Sequence, residues 1–203
     1  MRKTLGTWLL SVIFVAFISS GCSSNDKPSE EQPALGKLDQ LLTNIQQDGN
    51  YVFDGLPWLT AKEDVMEERK LSQASSNGDS ITVEGKFPLD DSVKQLVVYR
   101  FQDDQLVSGE YLFSMTDKNH FAALCNELKE LVSKSLEKPI SNDLNVLDDA
   151  ETSAEQGKVV MWEGKDRSNL RISLLTTTNN EKSEYLLQIQ TTSPLPERKD
   201  LNS

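Results

Sequence analysis

The sequence predicts an α+β protein, in which antiparallel sheet of about six strands is covered by helices in the order α-α-β-β-β-α-β-β-β. Apolar residues recur at helical spacing in 35–47 and 117–138, whereas they alternate with polar residues in 94–102 and 105–115. Turn-forming residues separate the alternating segments, as is typical of antiparallel hairpins. The order also fits a degenerate two-part repeat in which a meander closes each half.

Two helices are expected before the first strand. The first, 35–47, has one apolar face and is ended by the turn residues 48–50, the face being Leu35, Leu38, Leu41, Leu42 and Ile45. The second is expected at 61–71, because Thr60 and Glu63 have the spacing of a capping box.

Six strands are expected, and they fall into two groups of three. Ser75 to Asp79 forms a cluster of turn residues before the first group, while Asp103-Asp104 and Asn179-Asn180 supply tight turns inside the groups. The expected strands are 80–87, 94–102, 105–115, 158–163, 169–177 and 184–192.

The helix at 117–138 lies between the two groups of strands. Thr116 is the expected N-cap, Asp117 suits the positive end of the helix dipole, and Pro139 ends the helix. Cys125 belongs to the apolar face, which predicts a small buried side chain, whereas His120 lies off that face and is expected to be solvated.

Two segments are candidate contact surfaces. Trp58 follows a Gly-x-Pro turn, and such a tryptophan either covers a core edge or lines a ligand loop. The stretch 140–157 is acidic and irregular, which predicts a long loop, and long loops in compact domains often bind partners.

The first 22 residues have the three parts of a secretory signal. Arg2 and Lys3 form a basic start, 5–18 is an uncharged apolar run too short to span a bilayer, and small residues precede Cys22. The segment Ser19-Ser20-Gly21-Cys22 resembles the lipobox of bacterial lipoproteins, with serine at the position where leucine is usual. The alternatives are an ordinary signal peptide and a short membrane anchor, in which Cys22 has no special role.

The lipobox resemblance implies a diacylglycerol thioether on Cys22, cleavage before that residue, and a protein held by its lipid at the extracytoplasmic face of the cell membrane. Since Ser23 is not the aspartate that retains lipoproteins in an inner membrane, it implies the outer membrane in a cell with two membranes. The chain then divides into a signal peptide, a lipidated tether, one α+β domain and a disordered tail, at 1–21, 22–34, 35–192 and 193–203.

The charge of the chain excludes some classes of partner. Removal of Arg2 and Lys3 with the signal leaves 19 basic and 32 acidic residues, a net charge of −13. So much negative charge argues against nucleic acid as a partner and against a domain lying flat on anionic lipid.

The first half of the domain, 35–115, has a second resemblance. Its helix-helix-three-strand order, with Gly55, Thr60, Glu63 and Val65 around the start of the second helix, resembles small envelope lipoproteins of the SmpA/BamE type and the β-lactamase-inhibitor-protein fold. The resemblance implies a protein-binding module and transfers no functional residue.

No catalytic motif is present, so the chain is not expected to be an enzyme or to hold a metal or cofactor. Cys125 and His120 are five positions apart, about 140° around a helix, and cannot meet within it. The leading hypothesis is an anchored extracytoplasmic module that binds an envelope protein. The alternatives are a small-ligand carrier or sensor with a pocket between the sheet and 117–138, and a wall or glycan hydrolase, for which no carboxylate pair stands out.

Overall fold

The computed structural model describes residues 34–71, 75–85, 92–179 and 182–194. Within them, seven antiparallel strands form one sheet in the order β3-β4-β5-β6-β9-β8-β7, and a two-stranded hairpin, β1-β2, stands apart. The strands are β1 Gln46–Gln47, β2 Asn50–Tyr51, β3 Ser75–Asn77, β4 Ser80–Glu84, β5 Lys94–Gln102, β6 Gln105–Met115, β7 Val159–Glu163, β8 Asn169–Asn179 and β9 Lys182–Thr192. The helices are α1 Ala34–Ile45, α2 Lys62–Arg69, α3 Lys118–Ser135 and α4 Ala150–Glu155, with a 3₁₀ turn at Leu144–Leu147.

The α+β prediction is confirmed, and the element order shows two similar halves. Two helices and then a meander, β3 to β6, are followed by two helices and a second meander, β7 to β9. The meanders join where β6 pairs antiparallel with β9, so the second half runs across the sheet in mirrored order. The element order differs from the predicted one by the β1–β2 hairpin, the edge strand β3, the 3₁₀ turn and α4.

The helices cover one face of the sheet. The buried stripe of α3 packs on inward side chains of the central strands, and the Phe121 ring stacks on Tyr185 with centroids 5.2 Å apart. The stripe is the predicted one, and its buried members are Phe121, Leu124, Cys125, Leu128, Leu131 and Val132. The N-cap is Asp117 rather than Thr116, since its carboxylate accepts from the backbone N–H groups of Asn119 and His120.

The β5–β6 hairpin has the predicted tight turn. Asp103 and Asp104 have φ of +51° and +58°, the left-handed pair of a two-residue turn that matches the twist of its strands. The stop at residues 48–50 also becomes a hairpin turn, because Asp48 and Gly49 both have positive φ between β1 and β2.

Two local predictions in the first half of the domain are wrong. The turn cluster at Ser75 to Asp79 contains the edge strand β3, which pairs with β4 and raises the number of strands in the large sheet to seven. The capping box does not form: Thr60 Oγ1 donates to the Pro57 carbonyl, and α2 starts at Lys62, whose N–H donates to the Asp104 carbonyl. A neighbouring hairpin therefore satisfies the helix end that a side chain was expected to cap.

The stretch 140–157 is not an irregular loop. Asp143 caps the 3₁₀ turn by accepting from the Asn145 N–H, and α4 follows with Ala150 and Ala154 buried. Leu147 is fully buried as well. The helix α4 forms although most of its neighbourhood is acidic, because its alanines pack against the core. This packing could not be predicted from the local composition.

The ends of the domain differ slightly from the predicted bounds. Ala34, assigned to the tether, begins α1, and the Ser193 N–H, assigned to the tail, donates to the Val107 carbonyl at 2.9 Å. The signal peptide, Cys22 and the rest of the tether, together with residues 195–203 of the tail, lie outside the described residues.

Candidate functional site

The face of the sheet opposite the helices carries four leucines in a line. Leu96 on β5 lies opposite Leu112 on β6, and Leu175 on β8 lies opposite Leu186 on β9. Leu112 faces Gln188, which is two residues along β9 from Leu186, so the two pairs are diagonal neighbours. These four residues, called the leucine stripe below, cross four adjacent strands.

The stripe is accessible to solvent. Leu96 is 40% exposed and Leu175 is 38% exposed, while Leu112 and Leu186 are half-buried. The open face of a half-covered antiparallel sheet ordinarily carries polar side chains, and a connected apolar patch on it is typical of a contact surface. The other large apolar side chains exposed among the described residues, Leu59 and Ile140, lie outside the strands.

A groove of about 490 Å³ runs along part of the stripe. Its size is within the range of small-molecule sites, roughly 300–1,000 Å³. It lies at the end of the sheet where β5 begins, and its lining contains no residue of α3, whereas the carrier hypothesis expected a pocket between the sheet and α3. The groove is lined by the apolar Val93, Leu96, Leu112 and Leu186 and by the polar Glu84, Lys94, Gln95 and Ser114.

Beside the stripe, a carboxylate is buried and paired within the same face. Glu110 on β6 is 3% exposed, and it accepts hydrogen bonds from Arg100 Nη2 and Gln188 Nε2. Arg171 Nε donates to Ser173 Oγ at 3.0 Å on the neighbouring strand β8. The middle of the face is therefore largely apolar or internally hydrogen-bonded, which lowers the cost of covering it.

A second buried polar cluster lies on the helix side of the sheet. The Asp54 carboxylate accepts from Tyr99 Oη at 2.8 Å and from Tyr111 Oη at 3.2 Å. Arg69 Nε lies 2.8 Å from Asp54 Oδ2 as an ion pair, and Arg69 Nη2 donates to the Asp54 carbonyl. Phe53 packs between the two tyrosine rings, with centroid distances of 5.1 and 4.9 Å.

This cluster fastens the loop after β2 to the sheet. Burial first, and then the neighbouring Asp54 carboxylate, raise the pKa of Tyr99 and of Tyr111 well above the ordinary value, so both phenols stay protonated and donate. Phe53 reaches the sheet because Gly109 leaves space there: a Cβ on Gly109 would overlap the Phe53 ring. The cluster therefore has the geometry of a structural anchor, in which residues of the chain itself bind both oxygens of the Asp54 carboxylate.

Cys125 and His120 lie where a helix puts them, on different sides of α3. Cys125 is fully buried, as predicted, and burial raises the pKa of its thiol to about 12. His120 is half-buried rather than solvated, and its Nδ1 lies 3.1 Å from Ser92 Oγ. In a hydrolase triad the serine meets Nε2 while Nδ1 faces a carboxylate, so this contact has the opposite orientation.

Trp58 covers the edge of the core. Its ring is half-buried against core residues, and Nε1 donates to the Tyr51 carbonyl at 2.7 Å. Leu59, the next residue, has φ of +66° and is 57% exposed. The segment is held against β6, since Leu59 N–H donates to the Leu106 carbonyl and Leu106 N–H to the Thr60 carbonyl.

The remaining sequence predictions concern lipidation, metal binding and membrane-spanning segments. Cys22, the predicted lipidation site, lies outside the described residues. Within the described part of the chain, no three His, Cys, Asp or Glu side chains are grouped as a metal site would need. The helices described there include none of the length and apolar character that crossing a membrane requires.

The leucine stripe was missed in the sequence, although a signal existed. In the strands 94–102, 105–115, 169–177 and 184–192, alternation was used to assign one inward set, such as Val97 and Tyr99 on β5, and the leucine on the other face was passed over. Four strands have such a leucine, but only the strand registers show that the four are adjacent.

No protein-family model, curated protein or solved structure matches this chain.

Proposed function

We propose that this chain is a lipid-anchored extracytoplasmic lipoprotein, and that its domain is a non-catalytic module that binds a protein of the cell envelope through the leucine stripe. The observation that carries the proposal is the stripe itself, with Leu96 and Leu175 more than a third exposed on a face where the described residues place no helix. Connected apolar side chains on an open sheet face are favourable to bury against a second protein.

The anchor is the second part of the proposal. The resemblance of Ser19 to Cys22 to a lipobox supports lipidation of Cys22. Two acyl chains hold a protein stably at a bilayer, whereas one holds it marginally. A net charge of −13 for the chain after the signal supports a domain that stands off an anionic surface, at the outer membrane where the cell has two.

The groove favours one alternative, a small-ligand carrier or sensor. A volume of about 490 Å³ with a mainly apolar lining is suited to a compact apolar ligand. A carrier and an interaction module would use the same side chains, Leu96 and Leu112. The two functions are distinguished by whether a small molecule or a protein remains bound when the chain is purified.

The test is photo-cross-linking in cells that carry the full chain. A photoreactive amino acid replaces Leu175 in one strain and Lys134, an exposed residue of α3 on the opposite side, in another. Protein adducts are expected at 175 and not at 134, and they should weaken with Cys22→Ser, which also releases the chain from the membrane fraction. Equal adducts at both positions would reject the stripe as the contact surface, and a membrane-bound Cys22→Ser chain would reject the anchor.

A further inference from the structure

We infer that the partner of the open sheet face is a net basic protein that presents an uncharged apolar patch. Charge then determines the association rate of the two proteins, and the leucines determine the dissociation rate. The inference rests on the proposed function, because it specifies the chemistry of the partner of that same surface. It follows from a contrast between the charge of this face and the charge of the whole chain.

The contact face itself carries little net charge. Three carboxylates on its outer parts, Glu84, Glu163 and Glu184, and two cations, Lys94 and Arg171, together leave a net charge of −1. Arg100 and Glu110 form an ion pair within the face, and Glu110 is buried. The remaining outward positions of the central strands are leucine, glutamine, serine, threonine and valine. Interface cores are depleted of charge in this way, and charged side chains move to the rim.

The rest of the molecule carries the negative charge. The chain has a net charge of −11, or −13 without its signal, and a nearly neutral face accounts for almost none of it. Exposed carboxylates are concentrated on the helix side, where α2 carries Glu63, Asp64, Glu67 and Glu68. The field of these charges attracts a cationic protein at long range but makes few direct contacts at the sheet.

The same charge disfavours the other occupants of the face. A second copy would bring another strongly negative chain against the first, and an anionic bilayer would be repelled as well. A basic protein gains from the field during approach and meets an apolar, hydrogen-bonded surface on contact. The predicted signature is an association rate that depends on salt and a dissociation rate that does not.

The experiment starts with the protein that is cross-linked in cells at position 175, which is expressed and measured against the full chain in detergent micelles. From low to high salt the association rate constant should fall about tenfold, with the dissociation rate constant changing less than about twofold. Leu175→Ser should raise the dissociation rate about tenfold, corresponding to the loss of one buried leucine side chain. Its matched control is Ile140→Ser, which removes a more exposed apolar side chain, 62% against 38%, from outside the sheet.

A charge substitution far from the sheet face tests long-range electrostatic attraction separately from direct contacts. Glu68→Lys on α2 should lower the association rate constant and leave the dissociation rate constant unchanged, because Glu68 is exposed on the helix side. An acidic partner, a salt-dependent dissociation rate, or adducts at 175 with a second copy or with phospholipid would each overturn the inference. The photoreactive amino acid is therefore also placed at Leu59 and at Ile140 in two further strains. Adducts at 59 or 140 without any at 175 would overturn the inference and leave an interaction module in place, whereas no protein adduct at 59, 140 or 175 would overturn the proposed function too.

Discussion

Replacement of Asp54 should show how much of the fold depends on the buried polar cluster. The carboxylate is 8% exposed and holds two tyrosine hydroxyls and one guanidinium. Asp54→Asn keeps the shape and tolerates the left-handed φ of +52°, and it removes the charge together with one of the two acceptor oxygens that the tyrosine hydroxyls use. Loss of one partner of a buried ion pair costs about 3–5 kcal/mol, and because Arg69 is 24% exposed we expect the lower end, about 3 kcal/mol.

Asp54→Ala adds a backbone cost. Alanine in a left-handed conformation is about 1 kcal/mol less favourable than asparagine or aspartate, so the total should reach about 4 kcal/mol. The chain offers a matched control in Asp48, which has φ of +54° but is exposed. Asp48→Asn should be neutral within about 0.5 kcal/mol, and Asp48→Ala should show the backbone cost alone.

The assay is urea denaturation of the full chain in a Cys22→Ser background, followed by far-ultraviolet circular dichroism. Formate has the size of the missing carboxylate, and it should stabilise Asp54→Ala more than the unsubstituted chain. The reason is that only the variant has a vacant site in which Arg69 and the two tyrosine hydroxyls can bind an anion. If Asp54→Asn and Asp48→Asn lose the same stability, the cluster does not anchor the loop and the reasoning fails.

Three further predictions concern the core. Gly109→Ala should cost about 3 kcal/mol because its Cβ overlaps the Phe53 ring, and little in a Phe53→Ala background, which a double-mutant cycle by urea denaturation measures. Stability should fall by about 1.4 kcal/mol per pH unit per buried tyrosine above pH 10, since the unfolded chain ionises there while the folded chain stays protonated. Tyr51, whose pKa burial raises to about 12, should contribute to this loss, and ultraviolet titration of tyrosinate follows it. In a Cys22→Ser chain the thiol of Cys125, with its pKa raised to about 12 by burial, should react with a thiol reagent only after denaturation.

Each of these has a result that contradicts it. For Gly109, equal losses in the native and the Phe53→Ala backgrounds would mean that the Phe53 ring does not occupy the space beside Gly109. For the tyrosines, ionisation at the ordinary pKa of 10.0 in the folded chain would show that they are solvated. For the cysteine, fast labelling of the native chain would place Cys125 at the surface.

The sequence alone determined the features that depend on near neighbours in the chain. Strands β5 and β6 start and end where alternation predicted, and the turn between them was evident because two aspartates tolerate positive φ. The stripe of α3 was equally plain, since five turns of regular spacing leave one choice of buried face. Such signals are strong because the spacing of side chains along a helix or strand is set by backbone geometry.

Tertiary structure decided the rest, because it depends on groups that are far apart in the sequence. The start of α2 uses a carbonyl of the β5–β6 turn in place of the predicted cap, and α4 forms because Ala150 and Ala154 find a buried surface. Asp54 meets partners 45 and 57 positions away, and the leucine stripe exists only through the registers of four strands. Alternation tells which residues share a face of one strand, but it cannot tell which strands are neighbours, and that is what turns four separate leucines into a surface.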